Sequence, residues 1–286
     1  MGSFHQIVAA VDASAMTEEV LKRAIGLSAR HGANLLVLHV LDVPVAEWPF
    51  AASIDLQKVK EKIDAQIERL NNEGVACSSL VLQGDPADIV TVEAARVKAD
   101  LLVIGAHGKE EVESGYFGST IRKIVQQIHR PVLVVKNRAA KGYDRMTAPT
   151  NLTDYSEASI RFATEFFANA SLKCLYAFNV MSDLHAEFYI IEKDEVEDLR
   201  KELAETAKVN AEAFAQRVGA AETVTIGKVG SGNDELLKYL TDDKPDLVVL
   251  GSKGVDDLNS YIFGSTASYL LQQCQSDVLV YVPDGQ

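Results

Sequence analysis

The sequence predicts an α/β protein made of two doubly wound domains in tandem, each with a five-stranded parallel sheet covered on both faces, and three observations predict it. The chain has 286 residues, long for one compact α/β domain and sufficient for two of about 140 that each bury a core. Short apolar runs alternate with segments whose apolar residues recur every three or four positions, the pattern of parallel strands joined by helices. One stretch also occurs twice. Leu101 to Ile104 leads into Gly105, Ala106, His107 and Gly108, and after nine residues Gly118, Ser119 and Thr120 open an amphipathic segment. Leu247 to Leu250 leads likewise into Gly251, Ser252, Lys253 and Gly254, and after nine more into Gly264, Ser265 and Thr266.

The elements follow in order. Phe4 to Val11 is an apolar run ending at Asp12, a buried parallel strand that delivers a carboxylate to a loop. Ser14 to Arg30 carries Val20, Leu21, Ala24 and Leu27 on one helical face, with Gly32 as its stop. Leu35 to Val40 is the second strand, and a loop with Pro44, Trp48 and Pro49 follows. Leu56, Val59, Ile63, Ile67 and Leu70 mark a long helix by their spacing. Cys77 to Leu82 is the third strand. Gly84, Asp85 and Pro86 form a turn whose aspartate caps, and whose proline suits, the first helical position, so Ile89 to Ala99 is helical. The fourth strand, the glycine loop, a helix bearing Ile121, Ile124, Val125 and Ile128, and a strand from Val132 to Val135 complete the first set.

Lys136 to Asp144 is polar and contains Gly142, which marks a linker and divides the chain at residues 1–138 and 139–286. The pattern restarts with strand Met146 to Thr150, helix Ser156 to Ala168, strand Leu172 to Asn179, a helix from about Glu192 to Val218, and strand Thr223 to Val229. Gly230 precedes Gly251 by as much as Gly84 precedes Gly105, and Asp246 matches Asp100 in the same way, so the back halves align without a gap. Aromatics in the two variable loops, Trp48 and Phe50 in one and Phe188 and Tyr189 beside Met181 and His185 in the other, are expected to serve packing.

Glycines at a strand end let backbone approach a ligand, and the free N–H groups of a helix N-terminus attract anions. The spacing is neither the Walker form nor the dinucleotide G-x-G-x-x-G fingerprint. It is G-x-x-G-x9-G-S, and by this pattern both halves resemble the universal stress protein family, whose ATP-binding members carry it after the fourth strand. The resemblance covers nearly the whole chain and implies a tandem form, with strand order 3-2-1-4-5 and an adenine nucleotide alpha hydrolase-like fold. It also implies binding of ATP, or of AMP or ADP, in a stress-response role.

By the resemblance, Asp12 lies by the adenosine portion and the backbone at Val40 meets the adenine edge. Gly105 and Gly108 line the ribose and phosphates, while Gly118, Ser119 and Thr120 donate to the phosphate tail. Matching Ala24 to Ala163 puts Asn151 where Asp12 stands; the amide keeps an acceptor and loses the charge, so the first site ranks ahead of the second. Val180 matches Val40, and Gly251, Gly254, Gly264, Ser265 and Thr266 complete the second set. The spacers hold acids, Glu110, Glu111 and Glu113 in one and Asp256 and Asp257 in the other. A carboxylate ~6 Å from a phosphate charge costs about 3 kcal/mol at an effective dielectric of 20. Outward orientation, a Mg²⁺ bridge or a preference for fewer phosphates are the available escapes.

Rival readings remain open here. A weak Mg-dependent ATPase requires a water-activating group; His107 has no evident partner, and Ser252 fills its place in the second copy. A nucleotide-free interaction scaffold would use the glycines only for close strand-to-helix packing. Cys77, Cys174 and Cys274 are widely spaced and read as buried free thiols, and six scattered histidines lack metal-ligand spacing. A net charge of −13 and a pI near 4.9 disfavour nucleic acid and anionic membranes as partners. Apolar content of 47% without a long apolar run or leader pattern predicts a cytoplasmic protein. The last strands, Val132 to Val135 and Val278 to Val282, are expected to pair within the chain as a pseudo-dimer, with a further homodimer left open.

Overall fold

The computed structural model describes residues 4–12, 14–42, 54–106, 118–138, 142–251 and 264–281. Their contacts divide into two compact units, and residues 4–138 together with Asp277–Tyr281 form unit 1. Its elements are β1 (Gln6–Val11), α1 (Thr17–His31), β2 (Asn34–Leu41), α2 (Leu56–Leu70), β3 (Cys77–Gln83), α3 (Pro86–Arg96), β4 (Leu101–Gly105), α4 (Ser119–Gln127) and β5 (Val132–Val135). All five strands are parallel in the order β3-β2-β1-β4-β5. Ile7, Val8 and Ala9 of β1 and Leu101, Leu102 and Val103 of β4 have no exposed surface, which is why these strands are continuously apolar rather than alternating.

Local chemistry sets the boundaries. Helix α1 buries Val20, Leu21, Ala24 and Leu27 as one stripe. It stops at Gly32, whose φ of 63° is left-handed; the Gly32 N–H donates to Ala29 O and the Ala33 N–H to Ser28 O. Helix α3 starts at Pro86, three residues before the expected position, because the Asp85 carboxylate accepts the Ala87 and Asp88 N–H groups at 2.9 and 3.1 Å. At the opposite end of the sheet Asp100 accepts the His5 and Gln6 N–H groups and ties the start of β4 to the start of β1.

Unit 2 comprises residues 142–251 and 264–276. It contains β6 (Arg145–Thr150), α5 (Asp154–Phe166), β7 (Ser171–Asn179), α6 (Asp183–Phe188), α7 (Lys193–Val218), β8 (Glu222–Lys228), α8 (Asn233–Asp243), β9 (Leu247–Gly251) and α9 (Ser265–Gln273). Its parallel order is β8-β7-β6-β9. Asp246 repeats the Asp100 brace by accepting the Asp144 and Arg145 N–H groups. The packed part begins earlier than the linker reading allows: Tyr143 is buried edge-on against Phe167, with centroids 5.1 Å apart.

The last strand, β10 (Asp277–Tyr281), belongs to unit 1. It lies antiparallel on β5, with Val278 opposite Val134 and Val280 opposite Val132, as the expected pairing of the two final strands requires. Asp277 fixes it. One carboxylate oxygen of this buried residue accepts the Lys136 and Asn137 N–H groups at 2.8 and 3.0 Å, and the other faces Arg23 Nη2 at 3.4 Å.

Three expectations change or gain detail. Phe188 and Tyr189 were expected to pack, but 78% and 65% of their surfaces are exposed. Phe188 closes α6, a helix the sequence did not announce, and Tyr189 follows it, while Trp48 and Phe50 fall outside the described residues. The three cysteines are free; Cys174 and Cys274 are buried as expected, whereas Cys77 is only half-buried, and burial pushes the Cys174 thiol up to about 11. No helix among the described residues is long and apolar enough to cross a membrane.

Candidate functional site

Of the predicted unit 1 residues, Asp12, Val40 and Gly105 lie at the carboxyl ends of three adjacent strands. Val11 stands opposite His39 across β1 and β2, and Ala10 opposite Ile104 across β1 and β4. One step further along each ladder, Asp12 comes level with Val40 while Gly105 closes β4 beside Val11. Connections leave these strand ends toward opposite faces of the sheet, the position at which an open α/β sheet forms a crevice. Asp12 is half-buried and one carboxylate oxygen accepts the Ser14 N–H at 3.0 Å, which shapes the loop into α1 and leaves the second oxygen for another donor.

Gly118 is the N-cap of α4, with φ −56° and ψ 140° and no capping side chain. The first helical bond runs from the Arg122 N–H to Gly118 O, so the N–H groups of Ser119, Thr120 and Ile121 have no acceptor within the helix. Such a helix start offers an anion three donors and the positive end of the helix dipole. Gly108, His107, Lys109 and the spacer acids lie outside the described residues.

His39 is a residue the sequence reading passed over. It is buried, and its Nδ1–H donates to the Val11 carbonyl at 2.7 Å; a carbonyl only accepts, so the proton sits on Nδ1. The bond pins the end of β1 directly before Asp12. Its signal in the sequence is a lone polar residue in the otherwise apolar run Leu35 to Val40.

Unit 2 repeats the layout with different chemistry. Asn151 follows β6 as Asp12 follows β1, yet its side-chain oxygen accepts Thr153 Oγ1 at 2.7 Å, Ser156 Oγ at 2.8 Å and the Thr153 N–H at 3.4 Å. All three donors come from the N-cap residue and the first turn of α5, so this oxygen is committed to the start of that helix. Thr266 Oγ1 donates to Asn233 Oδ1 at 2.9 Å at the start of α8. Val180 donates its N–H to Lys228 O, and Lys228 Nζ bridges Asn179 Oδ1 and Gly230 O at 2.9 Å each.

The two described glycines of the second loop differ in what they do for the fold. A Cβ on Gly251 would stand 2.8 Å from Ser159 Oγ and 3.0 Å from Tyr155 O, so helix α5 approaches β9 as closely as only glycine allows. A Cβ on Gly264 would meet nothing within 4 Å among the described residues, and its negative φ suits any residue. Neither crowding nor conformation demands glycine there. Like Gly118, Gly264 caps its helix without a side chain, and Ser265 beside it is exposed. Gly254, Lys253, Asp256 and Asp257 lie outside the described residues, and among those described no three His, Cys, Asp or Glu side chains converge as a metal site.

The model of the universal stress protein family matches this chain twice, over residues 3–136 and 142–282. A universal stress protein of Methanocaldococcus jannaschii is 31% identical over 140 residues, covering 46% of this chain and 82% of its own length. One from Synechocystis is 22% identical and spans 96% of this chain and 99% of itself. Among solved structures, a protein from Pseudomonas aeruginosa superposes with a TM-score of 0.74 at 15% identity, covering 99% of this chain and 94% of its own. A universal stress protein from Archaeoglobus fulgidus does so with a TM-score of 0.67 at 16% identity, covering 98% of each.

Proposed function

Because the chain belongs to the universal stress protein family, in tandem form, we propose that it is a nucleotide-dependent binding and signalling module that takes ATP or a related adenine nucleotide in unit 1. In this reading Asp12 accepts from the adenosine portion, the backbone at Val40 borders the adenine, Gly105 and Gly108 admit the ribose and phosphates, and Gly118, Ser119 and Thr120 donate to the tail. The observation that carries the reading is the start of α4. A helix led by glycine, with no capping side-chain hydrogen bond among the described residues, follows the strand whose end, Gly105, stands beside the end of β1.

Unit 2 supports a weaker site. Gly264, Ser265 and Thr266 repeat the open helix start, while Gly251 and Gly254 repeat the loop. Asn151, however, brings neither the charge nor a free oxygen, Thr266 already has an acceptor, and packing alone accounts for Gly251. Nucleotide occupancy is therefore assigned first to unit 1, and unit 2 keeps the layout chiefly for its architecture.

Mass spectrometry of whatever the purified protein releases on denaturation, followed by calorimetric titration with ATP, ADP and AMP with and without Mg²⁺, tests this. The expected result is an adenine nucleotide in the released fraction and a binding isotherm that Gly118→Val weakens at least about tenfold. No released nucleotide, together with no heat of binding at millimolar ligand, overturns it.

A further inference from the structure

We propose that α6 and the first turns of α7 form a docking surface for a basic, amphipathic helical segment of another protein. The apolar side chains are placed outward. Leu184 and Phe188 stand one helical turn apart on α6 and are 75% and 78% exposed, Tyr189 is 65% exposed and meets Phe188 edge-on at 5.3 Å, and Ile190 is 91% exposed. A contiguous apolar cluster of this kind on a polar surface marks a contact site.

Ile190 is unsuited to its place on two counts. It terminates α6 in the left-handed region at φ 56°, where glycine is the usual occupant and a β-branched residue is disfavoured, and it buries almost nothing in return. Neither helix termination nor the core explains an isoleucine there; contact with something outside the chain does.

The cluster is also held in a fixed position. The Arg200 guanidinium donates to Met181 O at 2.7 and 3.1 Å and to Asp183 Oδ1 at 2.7 Å, clamping the start of α6 to the second turn of α7. A surface set in advance loses little freedom when a partner arrives.

Charge identifies the occupant. Residues 183–205 contain nine acidic and three basic side chains, a net of −6 out of −13 for the whole protein. All nine acids are exposed. A second copy would oppose this field with itself, and an anionic lipid surface would be repelled by it. A helix with leucine-like residues on one face and lysine or arginine flanking them answers both the apolar cluster and the surrounding acids.

Fluorescence anisotropy of a labelled peptide about 18 residues long, built of leucine and lysine with leucines at i, i+3, i+4 and i+7, measures the docking on the full chain. A scrambled peptide of the same composition holds charge constant and removes the apolar face. The expected result is binding of the amphipathic peptide at least about tenfold tighter than the scrambled one, and a loss of about that size in Phe188→Ser. Ile190→Gly is the decisive variant. It relaxes the backbone, so it should raise the thermal midpoint while weakening the peptide several-fold, a combination that a merely structural isoleucine does not produce. Equal affinity for both peptides, or unchanged affinity in Ile190→Gly, overturns the proposal. So does a dimer in sedimentation velocity that Phe188→Ser converts to monomer, because the occupant is then a second copy.

Discussion

Asp12 and Asn151 occupy the same place after their first strands, and one atom separates their behaviour. The Asp12 carboxylate gives one oxygen to the Ser14 N–H and keeps the other, whereas the Asn151 oxygen is taken up by Thr153 and Ser156. Asp12→Asn should therefore act on ligand binding, weakening nucleotide affinity about tenfold, since a hydrogen bond to a charged acceptor contributes roughly 1.5–3 kcal/mol. Asn151→Ala should act on folding, costing about 1 kcal/mol of stability in urea titration through loss of the bonds that enter α5. The difference between aspartate and asparagine was readable in the sequence; that the asparagine is already satisfied was not, because its donors are ordinary Thr and Ser residues of a turn. The glycines divide similarly. Gly251→Ala places a methyl against Ser159 Oγ and Tyr155 O and should destabilise by about 1–3 kcal/mol, while Gly264→Ala should leave the unfolding transition within about 0.5 kcal/mol of the parent.

Elements buried on both sides were legible, because burial demands continuous apolar runs and those runs have no other plausible place. Strands β1, β2, β4 and β9 fall where the pattern put them, and Gly32 and Asp85 end and start their helices by the mechanisms their residue types suggest. Helix α6 was not legible, since six residues with an exposed apolar face carry no inward stripe to read. Nor was the fastening of β10. Asp277 stands thirteen residues after Gly264, and the matching position in the first repeat, thirteen after Gly118, is Pro131. The carboxylate that holds β10 to unit 1 is thus an invention of one repeat, and no internal comparison announces it. Asp277→Ala removes the acceptor of the Lys136 and Asn137 N–H groups and the buried partner of Arg23. Breaking a buried pair from one side costs about 3–5 kcal/mol, so equilibrium unfolding should register a loss of that order. A change below about 1 kcal/mol would show that β-pairing alone retains the strand.

Across the whole molecule, the response to acid follows from carboxylates in both units. In unit 1 the Asp64 carboxyl is lowered by its hydrogen bond from Lys60 and then by Ser79, and Asp85 by the Asp88 N–H at the start of α3 and by Lys123. In unit 2 burial alone would raise Asp243, but hydrogen bonds from Lys173 and Thr147 and the nearby Arg145 outweigh it and leave the group lowered. A carboxyl whose folded pKa lies below its unfolded value of about 3.9 contributes stability that is fully present above that value and is lost as pH falls through the folded one. Net charge works the other way first. Titrating from pH 7 toward the pI near 4.9 relieves repulsion among the surplus acids, which by itself favours the compact state. The urea midpoint should therefore hold or rise slightly between pH 7 and about 5 and fall below about pH 4, where these carboxyls protonate in the unfolded chain before they do in the folded one. Asp243→Asn should make the acid limb shallower while lowering stability at neutral pH, because the amide no longer answers Lys173 with a charge. An acid limb of unchanged slope in that variant would place the pH dependence in unit 1, on Asp64, Asp85 and Glu18, which hydrogen bonds from Lys22 and Arg69 lower to about 2.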